Sequence, residues 1–145
     1  MIDISQKDIT VRTAKAIGTI ALGDNAFKII KSGTSKKGDV LTIAKIAAIQ
    51  AVKSTPNLIP MCHPIPIESV GVDFENNETE KTVTIIVTVK STGRTGVEME
   101  ALCGAATGCL AIYDMLKYSD KAMVIKEVKL IGKTGGKSGD YKRPN

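Results

Sequence analysis

The chain has 145 residues, of which 43% are hydrophobic and 24% charged, with a formal net charge of +5. That length lets one domain, residues 1–145, fold on its own core without disulfides or a structural metal, and the balance excludes a disordered polymer. Aromatics are 3% with no Trp, so the core must be aliphatic, and a surface that grips nucleic acid by stacking is disfavoured.

The opening residues 1–7 read as an extended arm. Asp3 and Ser5 interrupt it at once, so no signal peptide is expected, and no apolar run approaches the roughly 20 residues that span a bilayer. A cytoplasmic chain with no membrane partner follows. Residues 14–22 alternate as a strand, and Gly23-Asp24-Asn25 starts a short helix reaching Lys31. Residues 32–39 (SGTSKKGD) form a polar loop. Asp39 is placed to cap a helix whose apolar contacts come from Leu41, Ala44, Ala48 and Val52. Pro56 should end that helix, and residues 57–66 (NLIPMCHPIP) make a proline-punctuated loop.

Two strands are expected at residues 67–75 and 82–90, joined through Asn76-Asn77 as an antiparallel hairpin. A long helix over residues 97–117 carries Ala101, Ala105, Cys109, Ile112 and Leu116 on one face, with Gly104 and Gly108 permitting close backbone approach. Residues 123–131 alternate as a last strand before a glycine-rich tail, residues 132–139. The order β-α-α-β-β-α-β contains one helix more than a split βαβ unit. It predicts an α+β, ferredoxin-like antiparallel sheet with helices on one face and one extra helix. The other sheet face, if lined by Val and Ile, predicts homo-oligomerisation.

Several segments carry residues suited to chemistry. Cys62, Cys103 and Cys109 form an odd set without a CxxC pair, which argues against a disulfide framework or zinc site. Positive charge is dispersed, mostly as Lys, and favours a small anion over a nucleic-acid stripe. Lys36-Lys37-Gly38-Asp39 before a helix offers ammonium and backbone N–H groups to a phosphate, or is a solvated loop with an Asp cap. His63, the only histidine, stands among Pro60, Pro64 and Pro66, held either for proton transfer or as a structural turn residue. Glu98 and Glu100 suit the positive end of a helix dipole; alternatively one reads a purine or pterin edge while the other crosses a subunit boundary. Asp114 and Lys117 form a surface ion pair, or a pair buried among Ile112, Tyr113, Met115 and Leu116. Burial would bring the lysine pKa down towards neutrality, with Asp114 fixing its position. The stretch from Lys133 through Lys137 to Gly139 has the glycines, lysines and hydroxyls of a phosphate lid, or is a fraying tail.

Taken in order, MIDIS with TVR, KKGDVLTIAKIAAIQAVK, NLIPMCHPIPI, TGVEMEAL, AIYDMLK and LIGKTGGKSGD resemble the cyclic pyranopterin monophosphate synthases of molybdenum cofactor (molybdopterin) biosynthesis. The resemblance covers nearly the whole chain, and its departures, such as Met61, are hydrophobic or small. It implies a lyase that turns 3′,8-cyclo-7,8-dihydro-GTP into cyclic pyranopterin monophosphate and pyrophosphate. It also implies a ferredoxin-like subunit of a homohexamer, a trimer of dimers with sites at subunit interfaces. Lys37, Asp114 and Lys117 would be catalytic, with Lys117 as acid and base held by Asp114. Arg12, His63, Lys133 and Lys137 would contact the triphosphate or position the sugar, and Glu98 and Glu100 would bind the base-derived ring. No cofactor and no metal site of the protein's own is implied; whether magnesium accompanies the triphosphate is left open. The rival readings are a nucleotide-binding module without turnover and a nucleic-acid binder on a ferredoxin-like sheet. The second lacks stacking residues, since the two hairpin strands offer Phe74 alone.

Overall fold

The computed structural model describes residues 1–144. In chain order it runs β1 (Thr10–Ala21), α1 (Asp24–Ser32), α2 (Val40–Leu58), β2 (Ser69–Asn77), β3 (Thr82–Gly93), α3 (Glu98–Leu116), β4 (Val124–Thr134) and β5 (Tyr141–Lys142). The strands form one sheet in the order β2-β3-β1-β4-β5, every neighbouring pair antiparallel. The hairpin strand β3 thus inserts between β2 and β1, as the split βαβ reading expected. α3 lies over β1, β3 and β4, and α2 packs along α3 and reaches β2.

Local chemistry accounts for the elements. Ala14, Ala16 and Ile20 alternate inward along β1, and Val83, Ile85, Val87 and Val89 do so along β3. The Asp39 side chain caps α2, accepting a hydrogen bond from the Thr42 N–H at 2.9 Å. Asn77 Oδ1 accepts from the Thr79 and Glu80 N–H groups at 3.0 Å each and closes the β2–β3 turn.

Some boundaries differ from expectation. β1 opens at Thr10 rather than Ala14, because Val11, Arg12 and Thr13 pair with Thr92, Ser91 and Lys90 of β3. Arg12 therefore sits on a strand. α2 runs past Pro56 to Leu58: the proline removes one ladder donor, but the Ile59 N–H still reaches the Thr55 carbonyl at 2.9 Å. β4 extends to Thr134 and draws Lys133 into the sheet, where β5 pairs Tyr141 with it. The region read as a glycine-rich tail is partly sheet. α3, with 19 residues, does come near bilayer-spanning length, and half of it is buried within the protein.

The sheet face opposite the helices also differs. It presents Thr13, Lys15, Ile17 and Thr19 of β1 against Lys90, Thr88, Ile86 and Thr84 of β3, and the Thr19 and Thr84 hydroxyls bond at 3.1 Å. Ile17 and Ile86 are an apolar pair in a field of hydroxyls and ammonium groups, not a Val/Ile surface. Large exposed apolar side chains are scattered, at Val11 of β1 and Val124 and Val128 of β4 as well as Ile43 and Ile46 of α2 and Leu110 of α3.

Small residues set the distance between α3 and its neighbours. A Cβ on Gly18 of β1 would meet the Ala105 carbonyl oxygen and the Cys109 Sγ at 2.8 Å each; one on Gly104 would meet Val52 of α2 at 2.8 Å. The first contact is with backbone, which moves only if the helix does. Gly18→Ala is therefore expected to destabilise the fold by about 1–3 kcal/mol, read as a lowered urea midpoint with an unchanged slope. A midpoint equal to that of the parent chain would show that α3 rides further from the sheet.

Candidate active site

The two ends of α3 carry the polar groups. At its C-terminal end, the loop between α1 and α2 delivers Lys37, whose Nζ donates to the Asp114 carbonyl at 2.8 Å and to Asp114 Oδ2 at 3.3 Å. Lys117, one turn beyond Asp114, donates to Oδ1 at 2.6 Å. Segments distant in sequence thus place two ammonium groups on one carboxylate. The hydrogen bond from Lys117, then that from Lys37, holds the Asp114 carboxyl below the usual carboxylate range. Reciprocally, the bond and charge of Asp114 raise Lys117 above the ordinary lysine value.

Of the two sequence readings for this pair, the structure bears out the surface ion pair and not the dry, neutralised lysine. The Asp114 and Lys117 side chains are 58% and 52% exposed, because the apolar neighbours Ile112, Met115 and Leu116 point into the core. In this chain Lys117 is a firmly protonated acid. The pairing with Asp114 weakens as pH falls through the lowered carboxyl pKa or rises through the raised ammonium pKa, and is intact between them.

At the N-terminal end of α3, His63, Cys62, Glu98, Glu100 and Lys7 line a cavity of 390 Å³. Glu100 is 2% exposed. Burial pushes its carboxyl up, opposed by its own backbone N–H and reinforced by the charge of Glu98. The Cys62 thiol is raised too, first by burial and then by Glu100 and Cys103. A larger cavity of 900 Å³ adjoins this one, lined by Lys7, Thr10, Arg12, Gly136 and Lys137. Lys7 borders both, so the acidic pocket and the basic one are neighbours.

Lys133 joins the parts: its Nζ lies 3.5 Å from Glu98 Oε1 and donates to Ser138 Oγ at 2.6 Å. Arg12 is nearly buried and spends its Nε on the Gly93 carbonyl at 3.0 Å, while its other guanidinium nitrogens face Gly136. Gly136, at φ +82°, has no room for a Cβ there. The Gly135 N–H donates to Asp140 Oδ1 at 3.1 Å, so this loop is a built turn laid on Arg12. Among the described residues, no group of three His, Cys, Asp or Glu side chains is placed to hold a metal ion.

The residues singled out in the sequence therefore form two sets. Lys37, Asp114 and Lys117 gather at one end of α3; Arg12, His63, Glu98, Glu100, Lys133 and Lys137 gather around the other. Glu98 and Asp114 are separated by sixteen residues of helix, about 24 Å. Sequence reasoning missed Lys7, whose arm carried no pattern that tied it to Arg12. It also passed over Met61 and Met99, although both flank chosen residues and line the same pocket.

The MoaC family model matches residues 1–136. A relative from Sulfurovum sp. (strain NBC37-1) is 52% identical over 143 residues, 99% of this chain and 91% of its own length. One from Helicobacter hepaticus (strain ATCC 51449 / 3B1) is 50% identical over 143 residues, 99% and 90% of the two chains. One from Staphylococcus aureus (strain Newman) is 50% identical over 146 residues, 99% and 89% of the two chains. Each of the three is named cyclic pyranopterin monophosphate synthase.

The buried carboxyl at Glu100 has a measurable consequence. Its folded pKa lies above the ordinary value of 4.5, so stability falls as pH climbs from that value through the raised one. Glu100→Gln removes the penalty. The variant is expected to melt with the parent chain near about pH 4 and above it near about pH 8. Thermal melts at both pH values check this, and a difference that stays flat across the range would place the carboxyl in water.

Proposed function

The chain belongs to the MoaC family, and we propose that it converts 3′,8-cyclo-7,8-dihydro-GTP to cyclic pyranopterin monophosphate with release of pyrophosphate, a lyase step of molybdenum cofactor biosynthesis. The observation that carries this reading is identity of about half over 99% of the chain to named synthases. The geometry supplies chemistry that fits it.

Closing the cyclic phosphate joins a substrate hydroxyl oxygen to the α-phosphorus and breaks the bond from that phosphorus to the oxygen bridging to the β-phosphate. The hydroxyl proton must leave, and pyrophosphate departs with its charge. Such a transfer is accelerated mainly by positioned cations. Lys117, protonated and braced on Asp114, enters as the acid. It returns as the base once the bound substrate excludes water and its pKa falls. Lys37, on the other carboxylate oxygen, stabilises developing charge and relays protons. Arg12, His63, Lys133 and Lys137 hold the triphosphate and sugar, and Glu98 and Glu100 bind the base-derived ring. Binding phosphate at Lys133 releases its contact with Glu98, so the carboxylate becomes free for ring N–H groups as the anion arrives. The overall conversion is redox-neutral and asks for no electron carrier; magnesium enters with the triphosphate.

The span between the two sets exceeds what one substrate bridges along a single α3. A complete site therefore pairs the Lys37–Asp114–Lys117 end of one copy with the His63–Glu98–Glu100–Lys133 end of another. A closed homohexamer, a trimer of dimers, satisfies every such end. The exposed Ile43, Ile46 and Leu110 offer apolar surface for copy-to-copy contact. The enzyme works in the cytoplasm on a small anion, with no nucleic-acid or membrane partner.

Two measurements test the reading. Lys117→Ala should lower pyrophosphate release by roughly 10²–10⁴-fold while triphosphate binding survives; full turnover by this variant removes the assigned acid and base. Co-expressed Lys117→Ala and Lys133→Ala copies, each inactive alone, should recover about one quarter of parent activity, the share of sites that random mixing leaves intact at both ends. No recovery in mixed assemblies would put the whole site within one chain. Binding of the cyclised triphosphate without any pyrophosphate from the parent chain would favour a non-catalytic module.

A further inference from the structure

The Lys37 ammonium is carried by an exposed loop bounded by Gly33 and Gly38, both at positive φ with open space around them. A lysine on such a loop has a long flexible stem and a movable backbone, so holding its nitrogen on one carboxylate requires the loop itself to be tied. Asp39 ties it to α2, and the Ser35 hydroxyl accepts from the Lys37 N–H at 3.2 Å. Neither bond reaches α3.

Tyr118 does. Its hydroxyl accepts a hydrogen bond from the Lys36 backbone N–H at 3.1 Å, and the Lys36 ammonium stands 5.7 Å from its ring centroid. The turn that follows α3 aims this ring: the Ser119 N–H and hydroxyl both donate to the Leu116 carbonyl at 2.8 Å. One short turn therefore presents Lys117 and Tyr118 together, the first on Asp114 and the second on the loop that brings Lys37.

We infer that Tyr118 is a positioning residue, clamping the Lys36–Lys37 loop onto the C-terminal end of α3 so that the Lys37 ammonium stays on Asp114. The phenol environment agrees with this contact: the Lys36 N–H, then the Ser35 hydroxyl, then the two ammonium charges hold its pKa below the ordinary tyrosine value. Tyr118 touches no reacting atom and acts through Lys37. Its kinetic consequence rests on the synthase reading above; its structural consequence does not.

Tyr118→Phe keeps the ring and removes the acceptor, and the side chain is 41% exposed, so no buried hole is created. The Asp114 carboxyl, faced by Lys37 and Lys117, is followed by ¹³C NMR titration, its signal assigned with Asp114→Asn. The parent chain, Tyr118→Phe, Lys37→Ala and the double variant form a cycle. Tyr118→Phe is expected to move the Asp114 midpoint upward, as Lys37→Ala does, and to add nothing once Lys37 is gone. Pyrophosphate release should lose about tenfold in kcat with KM within about twofold. An Asp114 midpoint that ignores Tyr118→Phe while responding to Lys37→Ala overturns the clamp. So does an equal shift in both backgrounds, which would mean a route around Lys37. The titration needs no substrate: if it behaves as expected and no pyrophosphate forms, the clamp stands and only the synthase reading falls.

Discussion

The close seat of α3 on the sheet is the constraint from which the rest follows. Where Gly18 passes under Ala105 and Cys109, the strand puts no side chain between itself and the helix. Gly104 leaves room on α3 for the Val52 side chain of α2, so the helix is held from two directions. Closely packed interiors move as units, because a shift of tenths of an ångström is already felt. Both ends of α3 are thereby fixed relative to β1, β3 and β4, and the polar groups of the candidate site come from those ends, from β1 and β4 through Arg12 and Lys133, and from the connecting loops. An aliphatic core with few aromatics suits this design, since Ala and Val faces allow the approach that larger rings would prevent.

How much of this was readable beforehand depends on the range of the interaction. The strand alternation, the Asp39 cap and the Asn77 turn are local, and residues 10–134 fell into the expected order of elements. Boundaries set by partners far along the chain were not readable: Arg12 joins β1 because Ser91 lies opposite, and Lys133 joins β4 because Ala14 of β1 and Tyr141 of β5 flank it. The same distinction divides the site. Lys37, Asp114 and Lys117 were picked out from local chemistry and resemblance, and the structure does bring them together. The sequence left open whether the Asp114–Lys117 pair is buried or on the surface; it is on the surface, because the apolar neighbours of Asp114 occupy the inward side of the helix and leave the pair outward. Lys7 was invisible, since its place between two cavities is decided by the fold of an arm that has no periodicity.

The two carboxyls show how position alone divides one kind of group into opposite states. Asp114 lies in water between two ammonium groups, whose hydrogen bonds and charge hold its carboxyl below the usual carboxylate range. Glu100 lies in the core end of α3 beside Glu98, where losing its proton means placing charge in a poor solvent next to like charge. One end of the helix thus offers a carboxylate that steadies cations and is steadied by them, and the other a carboxyl that burial makes costlier to ionise. Environments that push acids apart in this way are how acid and base duties are divided in a single site.

The exposure of Lys117 leads to the last step. A lysine that must lose and regain a proton near neutrality is poorly served by a wet ion pair with aspartate, which strengthens its hold on the proton. Removing water is what reverses that bias, because desolvation penalises the ammonium while substrate phosphate competes for the counter-charge. A single copy has no wall on the outer side of Asp114 to do this. If the facing end of another copy supplies that wall, as proposed, then assembly does more than collect residues: it changes the acidity of a group the lone chain already holds in place. On this view Lys37 and Tyr118 have a definite purpose before any substrate arrives. They keep the carboxylate saturated and oriented, so that closing the cleft acts on Lys117 and not on the geometry around it.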